Sequence, residues 1–567
     1  MPRMEILRNS AVRSLSVIAS IAVIGCNQDQ EPPTQVKPSQ AASRSAGVRP
    51  AHIRVSEQSF GDLASRAPSS AGFYFDHNAT LVLQVRDSTD FAAARGAVSS
   101  LVGDGAIGAD TRWHGAIAVR QSKFTFYQLA SWRDSVFEHI LGQFRGVTSL
   151  DMNEELNRVV IGLDPLLQKN LRQQLLPNLM ILGIDTNAVT FAVEPAMTLA
   201  NAAARSTQLG GNSIQGHADT LVGGIAFEVG SVGSSKNATI GIILDYGGVR
   251  SALTNSHSTR NGFTPDGDTA QQPAVFTRSF GYESSDPSTH NCGTWPFNYS
   301  CRNSDAAIYT LFASDTSQKG LIARTTYYSH SSSGSTTWDT TRPYFVVTST
   351  TSSPATGTTV YKVGQTSGWT YGTVTATCVD KTVNGYTLTV LCNTATDMYL
   401  LAGDSGAPVF TWDGVDAASL SGLVNGITGS ANYFTPLSQI AGDLTSTISI
   451  ARGINLSSPS ISGSVSGTHP SISWGSVSNA TAYELYRRWC IWDPNNLFSC
   501  SSSSNGWEYI GRLYLASYLD GDMTVSAYDG ASQPAATTYG WAGYEVRAVS
   551  GTDVSDISNT VYFTLAP

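Results

Sequence analysis

The stretch Gly403-Asp404-Ser405-Gly406-Ala407-Pro408-Val409 decides how this chain is read. Two glycines flank a serine, and the β-prone run Pro408 to Trp412 follows at once, which is the pattern of a tight turn feeding a strand. Glycine tolerates backbone angles closed to other residues. Such a turn therefore holds a serine hydroxyl clear of the chain and lets the Gly403 and Ser405 N–H groups converge on one point. Convergent N–H donors stabilise a developing oxyanion by about 3 kcal/mol each. Taken alone, the same seven residues also describe a Gly-rich hairpin whose serine faces solvent.

A serine nucleophile needs a base, and the base needs an acid to orient it. Upstream, Ala252-Leu253-Thr254-Asn255-Ser256-His257-Ser258 is an apolar strand ending in histidine. His290 and His330 lie in polar, Gly- and Ser-rich surroundings and read as surface residues. Asn303-Ser304-Asp305-Ala306-Ala307-Ile308-Tyr309 places a carboxylate at the start of another apolar strand. The order histidine, aspartate, serine excludes an α/β-hydrolase, where the serine comes first and sits in Gly-x-Ser-x-Gly.

These stretches resemble the histidine, aspartate and Gly-Asp-Ser-Gly-Gly-Pro sites of chymotrypsin-like serine proteases. Leu221-Val222-Gly223-Gly224-Ile225, Gly364-Gln365-Thr366-Ser367-Gly368, Gly372-Thr373-Val374 and Phe434-Thr435-Pro436 extend the resemblance to the bacterial alpha-lytic and streptogrisin-like branch, over residues 50–445. The resemblance implies an all-β double β-barrel at 218–447, a catalytic triad of His257, Asp305 and Ser405, and an oxyanion hole from Gly403 and Ser405. It implies ion-pair support of Asp404 by Lys362, which stands where the branch has arginine and lacks its bidentate fork. Substrate-binding positions become Tyr399, Asn425, Gly426 and Ile427. Tyr399 occupies the place of the trypsin-like aspartate, which excludes a preference for Arg or Lys and points to an apolar or small residue before the cut. Asn425 replaces a serine that supports the catalytic acid and is expected to give Asp305 the same hydrogen bond. Ser258 and Ala238 replace one family disulfide, Tyr361 and Tyr371 another, and Ala407 the second glycine after the nucleophile. Residues 51–200, Gly146 to Leu163 above all, resemble the branch's pro-region, a folding assistant cut away near His217 to Leu221.

The rest of the chain fits an exported, multidomain protein. Its 567 residues exceed several ordinary domain lengths, and 41% apolar with only 14% charged residues suits β-rich exported domains. A net charge of -9 without basic runs excludes a broad nucleic-acid surface. Residues 1–26 read as a signal segment, with Arg3, Arg8 and Arg13 before the apolar run Leu15 to Gly25. Val23-Ile24-Gly25-Cys26 resembles a lipobox, which implies lipidation of Cys26 and membrane contact through that anchor alone; the alternative is an ordinary signal with an incidental cysteine. Residues 27–50 form a polar tether. The other six cysteines fall into near pairs, Cys292 with Cys301, Cys378 with Cys392 and Cys490 with Cys500, expected as disulfides. Neither CxxC nor HExxH occurs, so no metal and no cofactor are expected.

Residues 51–200 alternate helix and strand: strand Thr80 to Val85, helix Phe91 to Leu101, helix Trp132 to Leu141, hairpin Gly146 to Leu163, helix Pro165 to Leu176 and strand Ala188 to Val193. An exposed linker spans 201–217. Residues 457–567 carry period-two runs and read as a β-sandwich. Trp474, Tyr483, Tyr486 and Tyr544 there resemble fibronectin type III core aromatics and are expected in its core. That domain is a candidate for docking a substrate or surface, or a spacer. The fold class is thus multidomain: an α/β pro-region, an all-β double-barrel protease domain and a C-terminal β-sandwich. The function expected is an exported serine endopeptidase for protein or peptide substrates, made as a zymogen, and lipid-anchored at the cell envelope or secreted. The alternative is a catalytically weak, protease-like lipoprotein acting as a surface binding protein.

Overall fold

Short apolar runs broken by glycine and asparagine give a chain built mostly of β-strands. The computed structural model describes residues 53–200, 202–203, 212–450, 456 and 458–566, apart from short stretches inside these ranges; the signal segment, Cys26 and the tether lie outside the described residues. Among the described residues no helix is long and apolar enough to cross a membrane.

Helices Gln58–Arg66, Phe91–Gly103, Phe126–His139 and Gln168–Ile181 accompany the sheet Ser70–Phe75, Leu81–Val85, Ile117–Gln121 and the hairpin Val147–Asn153, Arg158–Leu163. Thr125 starts the third helix by accepting from Gln128 N–H, and Gln128 returns the bond in a capping box. The fourth helix runs through Pro177, five residues beyond its expected end. Leu171, Leu175 and Leu179 form one buried face across the proline, and that packing outweighs the lost backbone bond.

Two sheets follow. One orders Ile448–Ser449, Ile242–Tyr246, Val249–Thr254, Ala307–Leu311, Arg278–Ser285, Thr269–Gln272, Ala226–Val229, Lys236–Thr239 and Ala202–Ala203. The other contains Leu388–Thr396, Asn432–Pro436, Ala417–Ile427, Pro408–Trp412, Thr359–Gly364 and Gly368–Thr382 in that order. They share a core in which Phe227, Ile242 and Leu253 meet Phe345, Phe410 and Leu423, all at most 1% exposed. Each such side chain contributes roughly 1.5–3 kcal/mol when buried. Tyr361 and Tyr371 stand opposite each other in register with ring centroids 5.7 Å apart.

The disulfides Cys292–Cys301 and Cys378–Cys392 are formed, and Cys490, opposite Cys500 in register, is disulfide-bonded. At the C-terminal end, a sheet of Ile461–Ser466, His469–Trp474 and Ser517–Leu519 and a larger sheet around Ala482–Trp492 and Gly540–Ser550 enclose Trp474, Tyr483 and Tyr544. Tyr486 departs from the expected core role. It lies three residues from Tyr483 on one strand and so points to the opposite face, where it is half-buried with Arg547 over its ring and its hydroxyl donating to Glu484.

The hairpin of the N-terminal region joins the second sheet directly. Val147–Asn153 runs antiparallel to Gly368–Thr382, with Leu150 opposite Asp380 and Ser149 opposite Lys381. The seam is polar and buried. Glu154 accepts from Thr377 Oγ1 at 2.9 Å and Thr356 Oγ1 at 3.3 Å, Lys381 pairs with Glu194 at 2.9 Å, and Arg54 pairs with Asp380. Burial pushes the Asp151 carboxyl up to about 7 against a hydrogen bond from Asn153, with Glu194, Glu57 and Asp380 adding to the rise.

In the unfolded chain this aspartate ionises near about 4. The folded chain therefore binds more protons between there and about 7, and stability present below about pH 4 is lost as the pH rises through about 7. Asp151→Asn should raise the thermal unfolding temperature at pH 8 and leave it nearly unchanged at pH 4. An equal change at both pH values would contradict this account.

Candidate active site

The Gly403–Gly406 turn is fixed by the carboxylate inside it. Asp404 is fully buried, and its Oδ1 accepts from the N–H groups of Thr366 at 2.9 Å and Ser367 at 3.0 Å. Oδ2 accepts from Leu401 N–H at 2.9 Å, Ser367 Oγ at 2.5 Å and Lys362 Nζ at 3.0 Å. Burial alone would raise this carboxyl, but Lys362 and the hydrogen bonds hold it below its ordinary value; burial lowers Lys362. The lysine expected as ion-pair partner is in place with no exposed surface, and Ser367 and Gly368 O take its other donors. Gly364 must be glycine, since a Cβ there would lie 2.4 Å from Asp404 Oδ1.

Gly403 and Gly406 have φ of +98° and +83°, angles that favour glycine. A Cβ on Gly406 would lie 2.3 Å from Thr254 Oγ1 and 2.4 Å from Thr239 O. Thr239 also ties the turn to the first sheet, its N–H donating to Ser405 O at 2.8 Å and its hydroxyl to Gly403 O at 3.0 Å.

His257 and Asp305 come from neighbouring strands of that sheet. Thr254, at the end of Val249–Thr254, pairs with Ala307, so the residues just beyond and just before them meet. Asp305 Oδ1 accepts from His257 N–H at 3.0 Å, Oδ2 lies against His257 Nδ1, and His257 Nε2 is 2.8 Å from Ser405 Oγ. All three residues are at most 1% exposed. With its Nδ1 proton held by the carboxylate, the imidazole presents Nε2 as an acceptor for the serine proton.

The sequence reading missed the supports beneath this histidine. Asn255 Nδ2 donates to Asp305 O at 2.7 Å, and Ser256 Oγ donates to Asp286 Oδ2 at 2.9 Å while accepting from Arg302 at 2.7 Å. Arg302 and Asp286 form an ion pair with no exposed side-chain surface. Lys236 Nζ donates to His257 O at 3.0 Å and Thr259 O at 2.7 Å. Asp286 and Arg302 lie in no motif; Arg302 ends the strand Ser300–Arg302 of the second sheet and Asp286 follows Arg278–Ser285 of the first, so only the meeting of the two sheets brings them to Ser256.

Two expectations need correction, those for Asn425 and for the linker 201–217. Asn425 does not bond the Asp305 carboxyl: its amide donates to Asn393 Oδ1 at 2.6 Å and Thr435 Oγ1 at 3.0 Å, and Thr435 Oγ1 accepts the Asp305 N–H at 3.4 Å. Both acceptors stand on strands of the sheet that carries Asn425 itself, so the amide's donors are used within that sheet. Tyr399 is half-buried, with its backbone carbonyl accepting from Thr370 Oγ1, and its neighbours Met398 and Leu400 lie in an apolar cluster with Ala407. The expected linker 201–217 is not exposed throughout. Ala202–Ala203 pairs with Lys236–Asn237, and Ile214 is fully buried in the shared core. Leu221, near the expected processing point, is buried beside Ser317. Gly426 and Ile427 pair with the chain's own Leu199 and Thr198. His290 and His330 are exposed, as expected.

Asp266, Asp268 and Glu283 bring carboxylate oxygens within 4.8 Å of one another, outside the serine site. Arg260 lies 3.0 Å from Asp266, Tyr309 donates to Asp268 at 2.6 Å, and burial pushes Glu283 up to about 7, so the protein itself meets much of this charge.

No protein-family model matches the sequence, and no curated protein matches it. About two fifths of the chain is similar to solved bacterial serine proteases. Thermobifida fusca protease A matches at 19% identity over 41% of this chain and 100% of its own, with a TM-score of 0.28. Nocardiopsis protease matches at 16% identity over 40% and 98%, with a TM-score of 0.28. Cellulomonas bogoriensis chymotrypsin matches at 19% identity over 41% and 100%, with a TM-score of 0.27.

Removing Lys362 would leave Asp404 buried without its counter-charge. Lys362→Met should cost about 3–5 kcal/mol in urea unfolding, and adding Asp404→Asn should return part of that loss. A single variant as stable as the wild type would show that the pair does not hold the turn.

Proposed function

We propose that this chain is an exported serine endopeptidase of the chymotrypsin type, with residues 218–447 as its double β-barrel, 51–200 as a pro-region and 457–567 as a fibronectin-like β-sandwich. The observation that carries the reading is the continuous buried relay from Asp305 through His257 to Ser405 Oγ, with the serine 2.8 Å from Nε2. A solvent-facing hairpin serine would have no reason to be buried against an oriented imidazole.

Ser405 Oγ attacks the substrate carbonyl carbon as His257 Nε2 takes its proton. Asp305 stabilises the imidazolium, and the Gly403 and Ser405 N–H groups receive the oxyanion. The C–N bond breaks as His257 protonates the leaving amine. Water then adds to the acyl-enzyme through the same imidazole and releases the acid. Disulfides fit an oxidising compartment. A lipid on Cys26 would hold the enzyme at the envelope, and the sandwich would dock a substrate or surface.

Full-length protein, incubated until any self-processing is complete, should then take up one fluorophosphonate on the fragment containing Ser405. Ser405→Ala should take up none. Asp305→Asn should lower kcat by about 10⁴ with little change in KM. A folded wild type that neither labels nor cleaves a casein substrate would favour the surface-binding alternative.

A further inference from the structure

A segment of the chain itself lies against the Gly403–Ser405 turn. Thr198–Leu199 forms an antiparallel pair with Ala417–Ile427, Leu199 opposite Gly426 and Thr198 opposite Ile427. Ala200 N–H donates to Asn425 O at 3.3 Å. Ala200 O then accepts from Gly403 N–H at 2.5 Å, the donor placed to receive an oxyanion. Two residues on, Ala202–Ala203 pairs with Asn237 and Lys236 of the first sheet. The chain is thus held on both sides of Asn201, and the carbonyl that Gly403 N–H meets is that of the peptide bond following Ala200.

The two ends of the segment are buried and its middle is more open. Ala200 is fully buried in an apolar cluster with Met398, Leu400, Val424 and Phe434, which leaves a methyl-sized place before the bond. Leu199 is half-buried and Thr198 exposed. Met197 is fully buried in a second apolar cluster with Val383 and Tyr433. Its backbone is pinned by Thr382 O at 2.9 Å and Asn384 N–H at 2.8 Å. Gly426 makes room for this strand, since a Cβ there would lie 2.4 Å from Met197 Cγ and 3.0 Å from Thr198 O.

We propose that the chain cuts itself after Ala200, and that Met197-Thr198-Leu199-Ala200 reports the enzyme's substrate class: extended peptides with a small apolar residue before the cut and a large apolar residue three positions earlier. This rests on the serine-protease reading above and moves the cut from the expected His217–Leu221 to a point 21 residues before Leu221. Ser405 Oγ bonds to the Ala200 carbonyl carbon, its proton passes through His257 to the nitrogen of Asn201, and the C–N bond breaks. Water then hydrolyses the ester, leaving an Ala200 carboxylate and a new amino terminus at Asn201.

Intact mass and N-terminal sequencing of the purified full-length chain should give fragments ending at Ala200 and beginning at Asn201, while Ser405→Ala stays whole. Ala200→Phe should slow this cut at least about tenfold, because a benzyl group does not fit a methyl-sized place. Should that variant misfold, the processed wild type can be given a peptide spanning residues 196–203 with Ala or Phe at the position of Ala200. The Ala peptide should be favoured at least about tenfold in kcat/KM. An enzyme that labels with fluorophosphonate but whose new terminus lies between residues 212 and 222, or that cuts both peptides equally, overturns this proposal and leaves the protease reading standing. A folded chain that neither labels nor cuts overturns both.

Discussion

The buried Asp404 carboxylate is the constraint on which the site depends. It collects five donors from the Ser367 turn, Leu401 and Lys362, and each is oriented by strand or turn geometry rather than by solvent. A charge this deep is tolerated only with its counter-charge and its hydrogen bonds complete. The residues around it therefore have little freedom, and the Gly403–Gly406 backbone inherits that rigidity. Gly403 N–H and Ser405 Oγ point as they do because the aspartate between them cannot turn outward.

The second requirement is that the two sheets meet in register. His257 and Asp305 belong to the first and Ser405 to the second, so a relay of about 3 Å steps exists only if their relative position is fixed to a fraction of an ångström. Apolar burial between Leu253, Phe410 and Leu423 supplies the attraction but is not directional. Thr239 supplies direction, since one residue bonds both Gly403 O and Ser405 O across the junction. The buried Arg302–Asp286 pair does the same on the other side, holding Ser256 and thereby the histidine turn.

Much of this could be read in the sequence where chemistry needs a particular residue type. The glycines of the Gly403–Gly406 turn, the histidine closing an apolar strand and the aspartate opening another each carry a local signature, and so do the hairpin and most helices before residue 200. What could not be read depends on closure in space. Asn425 looked like a partner for Asp305, but its amide bonds Thr435 and Asn393 on strands of its own sheet. Tyr486 looked like a core aromatic until the strand's period of two set it opposite Tyr483. The segment 198–203 has linker composition, small residues with one leucine, and nothing local reveals that it lies against Gly426 on one side of the serine and Lys236 on the other.

The seam between the N-terminal region and the second sheet shows how those residues are delivered. Its buried contacts are largely polar: Glu154 with two threonines, Lys381 with Glu194, Arg54 with Asp380. Such pairs contribute little net attraction once desolvation is counted, yet they penalise any shift of register heavily, because a slip leaves a charge buried and unpaired. Glu194 lies three residues before Met197 and is held by both Lys381 and Tyr433. Fixing Glu194 there leaves the chain only six residues to reach Ala200, short enough that Gly403 N–H meets the carbonyl of that residue and of no neighbour.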